Sequence, residues 1–196
     1  MTHTFDSNEA EKLVRQLTNS GVEFEVGLSE YELEIVEKSI GYGLPEDYRL
    51  FLKTALPVSY KGNYEQFPKW RSNPEEEAHD TKANLYSLFE FDIINNNFWH
   101  SSFGEKPNTT AEAIKQAINI VDSWPPLIRI YAHRFIPSKP SSSGNAIFSI
   151  WQATDSVYYG VNLSDALLRE FKINDASINY KKITPIEHWS EVFGLV

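Results

Sequence analysis

Leu127-Ile128-Arg129-Ile130-Tyr131-Ala132-His133-Arg134-Phe135-Ile136 is the stretch on which the fold class turns. It is rich in β-branched and aromatic residues, which favours strand. Read as one extended run, Leu127, Arg129, Tyr131 and His133 share one face, and Ile128, Ile130 and Ala132 share the other. One mixed and one fully apolar face predict a sheet with helices packed on one side. Ala146 to Trp151 is also strand-like, and Val157 to Tyr159 completes a hairpin across Gln152-Ala153-Thr154-Asp155.

Upstream the periodicity changes from two to 3.6. Ala10, Leu13, Val14 and Leu17 fall on one helical face, with Asp6 or Ser7 as cap and Gly21 as stop. Val22 to Val26 alternates as a strand does. Ser29 and Glu32 have the spacing of a capping box, in which each side chain satisfies a free backbone donor. Leu33, Val36 and Ile40 then make an apolar stripe that Gly41 and Gly43 end. Pro45, Glu46 and Asp47 open a third helix, with Pro45 expected in its first turn, acids at the positive end of the dipole and a stripe of Tyr48, Phe51, Leu52 and Ala55. Residues 56–72 read as loop with one short strand. A helix starts at Asn73-Pro74 and runs toward Phe89, and Asn95-Asn96-Asn97 marks a turn. Another helix covers about 110–122 before Trp124-Pro125-Pro126 breaks it. Two more follow the hairpin, near 163–171 and 185–193, the latter capped by Thr184. Helices first and hairpin strands later predict α+β: a single domain with a twisted, mostly antiparallel sheet.

The chain has 196 residues and no Cys, which removes disulfides, thiol nucleophiles and Cys-ligated metals. Its net charge of -9 is unevenly placed: Lys and Arg are split evenly between the halves, whereas two thirds of the acids lie in residues 1–98. That balance argues against binding nucleic acid or an anionic membrane; the acidic half reads plainly as a solvated helical surface, or alternatively as a face that attracts a basic protein. No apolar run reaches the length of a membrane span. Met1 to Asp6 has neither a basic nor an apolar leader segment, so a cytoplasmic protein is expected.

The five His residues show no metal-ligand spacing, and no phosphate loop or nucleophile elbow is present, so no metal or cofactor is expected. His100 and His133, with Asp92 and Asp155 as orienting carboxylates, are the candidates for acid–base chemistry. The plainer reading is that both His residues bond backbone at strand ends, because no nucleophile accompanies them. Trp99, Trp124, Trp151, Tyr158 and Tyr159 are candidates for a binding surface, or alternatively for core filling.

Four motifs taken in order resemble the SUKH superfamily, which covers fungal regulators of cell-wall synthesis and bacterial immunity proteins. The first is Leu28-Ser29-Glu30, Glu37 and Gly43-Leu44-Pro45-Glu46-Asp47-Tyr48-Arg49-Leu50-Phe51-Leu52. The second is Phe91-Asp92 with Phe98-Trp99-His100 and Gly104 to Pro107. The third runs from Leu127 to Pro137 and on to Gly144-Asn145-Ala146-Ile147-Phe148-Ser149-Ile150, and the fourth from Asp155 to Leu163. Many members carry an Asn-Gly-Gly turn after the Leu-Pro helix, where this chain has Ala55-Leu56-Pro57-Val58. The resemblance implies an N-terminal extension over 1–27 and a SUKH-like domain over 28–196, folded as one unit. It implies a non-catalytic module that neutralises a polymorphic or contact-dependent toxin by direct binding. The alternative is a regulatory scaffold for cell-wall synthesis or signalling. The residues expected to meet the partner are Glu30, Glu34, Glu46, Asp47, Trp99, His100 and Asp155.

Overall fold

Asp6 accepts a hydrogen bond from the Glu9 backbone N–H and starts α1 (Ser7–Ser20), which Gly21 ends at a positive φ. The computed structural model describes residues 5–64 and 66–195. Beyond Gly21, β1 (Val22–Val26) pairs antiparallel with β2 (Ala55–Tyr60) in a two-stranded sheet. Between these strands lie α2 (Glu30–Ile40) and α3 (Glu46–Thr54). Ser29 and Glu32 form the expected reciprocal capping box. Pro45 stands one residue before α3 and not within its first turn. Gly27 is fixed by a close approach, since a Cβ there would lie 1.9 Å from the Lys53 carbonyl oxygen.

The rest of the chain supplies α4 (Pro74–Asn95), a 3₁₀ turn at Ser101–Phe103 and α5 (Thr110–Asp122). Four strands follow: β3 (Leu127–Tyr131), β4 (Arg134–Pro137), β5 (Ile147–Ile150) and β6 (Ser156–Gly160). They form one antiparallel sheet in the order β3-β4-β5-β6. The chain ends with α6 (Leu163–Glu170), a 3₁₀ turn at Tyr180–Lys182 and α7 (Trp189–Val192). The fold class is therefore α+β with antiparallel sheets, as the sequence predicts. No helix of the described residues is long and apolar enough to cross a membrane.

Three expectations need correction. Leu127 to Ile136 is not one strand but a hairpin, with Tyr131 paired to Arg134 across a two-residue turn at Ala132 and His133. Ala132 takes φ +44°, and its N–H donates to the Gln66 carbonyl at 2.7 Å. Neither turn residue is Gly, Asn or Asp, so the usual turn chemistry gave no signal. Second, the four-stranded sheet is packed on both faces. Ile128, Ile130, Ile136 and Ile147 join one apolar cluster with residues of α1, α2, α3 and α6. Leu127, Phe135, Phe148 and Tyr158 join another with residues of α4, α5 and α7. The second face escaped notice because Arg129 and His133 give it a half-polar pattern, whereas Arg129 is in fact covered by α4 through its pair with Glu77. Third, the last helix begins at Trp189, not Pro185. Ile186 is instead buried, and its N–H donates to Ser190 Oγ at 2.7 Å.

Arginines tie helices to the sheet. Arg129 on β3 pairs with the buried Glu77 of α4 on one side. On the other, Arg134 of β4 pairs with Glu170 of α6 and lies over the Tyr159 ring.

Candidate functional site

The acids of α2 divide into those held by this chain and those left free. Glu30 pairs with Arg49 and Lys53, and Glu37 also pairs with Arg49. Glu25 and Glu32 both pair with Arg71. The Arg49 and Lys53 hydrogen bonds hold the Glu30 carboxyl down to about 2, and the Arg71 and Ser29 bonds do the same for Glu32. Glu30 is thus exposed but already neutralised. By contrast Glu34, Glu46, Glu75, Glu76 and Asp80 are exposed and join no ion pair among the described residues.

Asp47 does not belong to the surface. It is buried, and its two carboxylate oxygens accept from the Tyr48 and Gly144 N–H groups at 2.9 Å each. Burial pushes its carboxyl upward, against those hydrogen bonds. Its role is to clamp the loop before β5 to the start of α3, where Glu46 N–H also donates to the Ser141 carbonyl.

The four acid–base candidates form no hydrogen-bonded group. Asp92 is fully buried at the end of α4 and accepts from the Thr154 N–H at 2.8 Å and the Thr154 hydroxyl at 3.0 Å. It fastens the β5–β6 turn to α4. Asp155, in that turn, is exposed and contributes its backbone to the turn's hydrogen bonds. His133 packs against Trp151 with ring centres 4.2 Å apart and planes tilted by 39°, and the pKa of its imidazole is lowered by desolvation and by the Arg134 charge. His100 caps the 3₁₀ turn, with Nδ1 2.8 Å from Ser102 Oγ. Both Asp92 oxygens are engaged and neither His meets a carboxylate, so the quartet holds no proton-transfer relay.

The aromatic candidates also separate. Trp124 and Tyr158 are core residues, and Tyr158 donates to Ser190 Oγ at 2.6 Å. Trp99 is half-buried against Phe103, with its indole N–H on the Gly104 carbonyl. Tyr159 lies beneath Arg134. Trp151 is the open one, at 61% exposure.

A groove of about 330 Å³ runs between the C-terminal end of α2, α4, the end of α5 and the start of β3. Its floor is apolar, built from Ile40, Leu85, Val121 and Ile128 among others. On one wall Lys82 and the Tyr86 hydroxyl both bond Asp122, and the Lys82 ammonium lies 5.7 Å from the Tyr86 ring centre. The Lys82 hydrogen bond, with that from Tyr86, holds the Asp122 carboxyl below its usual range. Tyr42, Glu75 and His79 also line the groove. So does Thr81, which is buried and whose Oγ1 has no hydrogen-bond partner among the described residues. None of the candidates named from the sequence lines this groove except Trp124. A faint signal existed: Glu77, Thr81, Leu85 and Phe89 repeat at i, i+4 and are all buried, but two of the four are polar.

Among the described residues no group of three or more His, Asp and Glu side chains is placed to hold a metal ion. No family model, curated protein or solved structure matches this chain.

Proposed function

We propose that this chain is a cytoplasmic, non-catalytic protein-binding domain of the SUKH type, an immunity protein that neutralises a basic toxin domain by direct contact. The observation that carries the reading is the set of exposed acids with no internal cation: Glu34, Glu46, Glu75, Glu76 and Asp80. Arg49, Lys53 and Arg71 already neutralise their neighbours, so these five are among the carboxylates free to meet a partner, as are Glu90, Glu105 and Asp155 elsewhere on the surface. A nuclease toxin needs a cationic surface to hold its phosphodiester substrate. An acidic inhibitor would find that surface quickly and cover it. A standard interface takes about 800 Å² from each partner, which a domain with 10350 Å² of surface can supply. The four SUKH-like motifs and the dispersal of His100, His133, Asp92 and Asp155 support the same reading. Neither nucleic acid nor a membrane is part of it.

Co-expression with the toxin-like product of the neighbouring gene tests the reading, scored by cell survival and by isolation of a complex. Survival with a stoichiometric complex supports it. Survival without a complex, or a housekeeping enzyme as the captured partner, refutes it.

A further inference from the structure

The groove beside α4 joins three features. Its buried Thr81 carries a hydroxyl oxygen with no partner among the described residues, although buried polar groups are ordinarily paired. One wall already shows a filled arrangement: the Lys82 cation between the Asp122 carboxylate and the Tyr86 ring. The lining also includes a second ring and a second carboxylate, Tyr42 and Glu75. Tyr42 is 38% exposed, and Glu75 is exposed and joins no ion pair among the described residues. Glu76 and Asp80, on the same helix, are exposed and add further negative charge to α4.

From this juxtaposition we infer that the groove is an anchor site for an arginine side chain presented by the basic protein partner. The inference rests on the toxin-binding reading and names the chemistry by which the partner is held. An arginine suits the site better than the alternatives. Its apolar stem matches the floor, and its planar guanidinium stacks on an aromatic ring. It also has donors enough for Glu75 and the Thr81 oxygen together. An acidic side chain would meet Glu75 and Asp122, and a purely apolar one would leave Thr81 unpaired. A volume of about 330 Å³ lies at the small end of ligand sites, enough for one large side chain.

The test uses the whole chain, ¹⁵N-labelled, titrated with N-acetyl-arginine-N-methylamide. The leucine and glutamate analogues, and a neutral aromatic amide, serve as controls. Saturable shifts at Thr81, Lys82 and Tyr86 that only the arginine probe produces support the inference. Thr81→Val and Glu75→Gln should each weaken binding about tenfold, the scale of a hydrogen bond to a charged group. Thr81→Val replaces an unpaired hydroxyl by a methyl, so its melting temperature should equal or exceed that of the parent. No response to arginine, an equal response to the controls, or unchanged affinity in both variants would overturn the inference. A toxin that binds these variants as tightly as the parent also overturns it while leaving the immunity reading intact. A chain that binds the arginine probe but no toxin defeats the immunity reading alone.

Discussion

The Arg134 guanidinium donates to Glu170 at 2.8 Å while its centre lies 3.7 Å from that of the Tyr159 ring. Its second arm donates to Ser149 at 2.9 Å, so one β4 side chain links two neighbouring strands to α6. Both members of the ion pair are less than a fifth exposed.

Removing one partner of such a pair leaves a poorly solvated charge, at a cost of about 3 kcal/mol. Glu170→Ala should lose that much in urea denaturation. The double change Arg134→Met with Glu170→Leu should lose clearly less than the sum of its single changes, because no uncompensated ion remains. Additive losses would show that the charges act independently.

Acid sensitivity should carry two opposite contributions. Glu30 and Glu32 are held at about 2 in the fold against an ordinary 4.5. Below 4.5 the unfolded chain therefore binds more protons, and the stability these groups confer, present above 4.5, is lost as pH falls toward 2. Glu32→Gln keeps capping geometry but removes the charge, and should flatten that acid limb. Asp47 has the reverse sign, since burial raises its carboxyl. Its contribution is present at low pH and lost as pH rises through its folded value. The stability advantage of the parent over Asp47→Asn should accordingly shrink from acid to neutral pH. Denaturation midpoints across that range check both slopes.

Ala132 occupies left-handed backbone at φ +44° in the β3–β4 turn. Relieving that conformation with Ala132→Gly should raise stability by about 0.5–1 kcal/mol, read as a higher melting temperature. A loss would mean that the methyl group, partly buried against the first apolar cluster, outweighs the backbone term.

Reversing the free acids should act on encounter more than on residence. Glu34→Lys, Glu75→Lys and Asp80→Lys combined should slow toxin association about tenfold or more at low salt, with the difference fading as salt screens the field. Glu30→Lys should instead disturb folding, because it opposes Arg49 and Lys53. Stopped-flow mixing at several ionic strengths separates the two.

Local chemistry was the legible part of the sequence. Asp6, the Ser29–Glu32 box and Gly41 announce their helices because capping is a matter of adjacent residues. The Ala132–His133 turn was illegible because the hairpin is imposed by strand pairing and by the carbonyl of Gln66, 66 residues before Ala132 in the chain. The surface was harder still. Nothing near Asp47 foretells that Gly144 will bury it, and nothing near Glu30 reveals that two cations will cover it. Thr81 of α4, Asp122 of α5 and Tyr42 of the α2–α3 connection come to one groove only through the packing of separate segments, so no spacing rule groups them.

The sheet with an apolar cluster on each face constrains how the chain is made. One cluster draws on α1 to α3 and must wait for β3 to β5 and for Phe171; the other must wait for Phe193, three residues from the end. Until Phe171 has been made, the nascent polypeptide therefore has two half-built interiors and no finished one. The first closes with Phe171 and the second only with Phe193, so a chain cut between them should yield a sticky, chaperone-bound product, not a smaller working version.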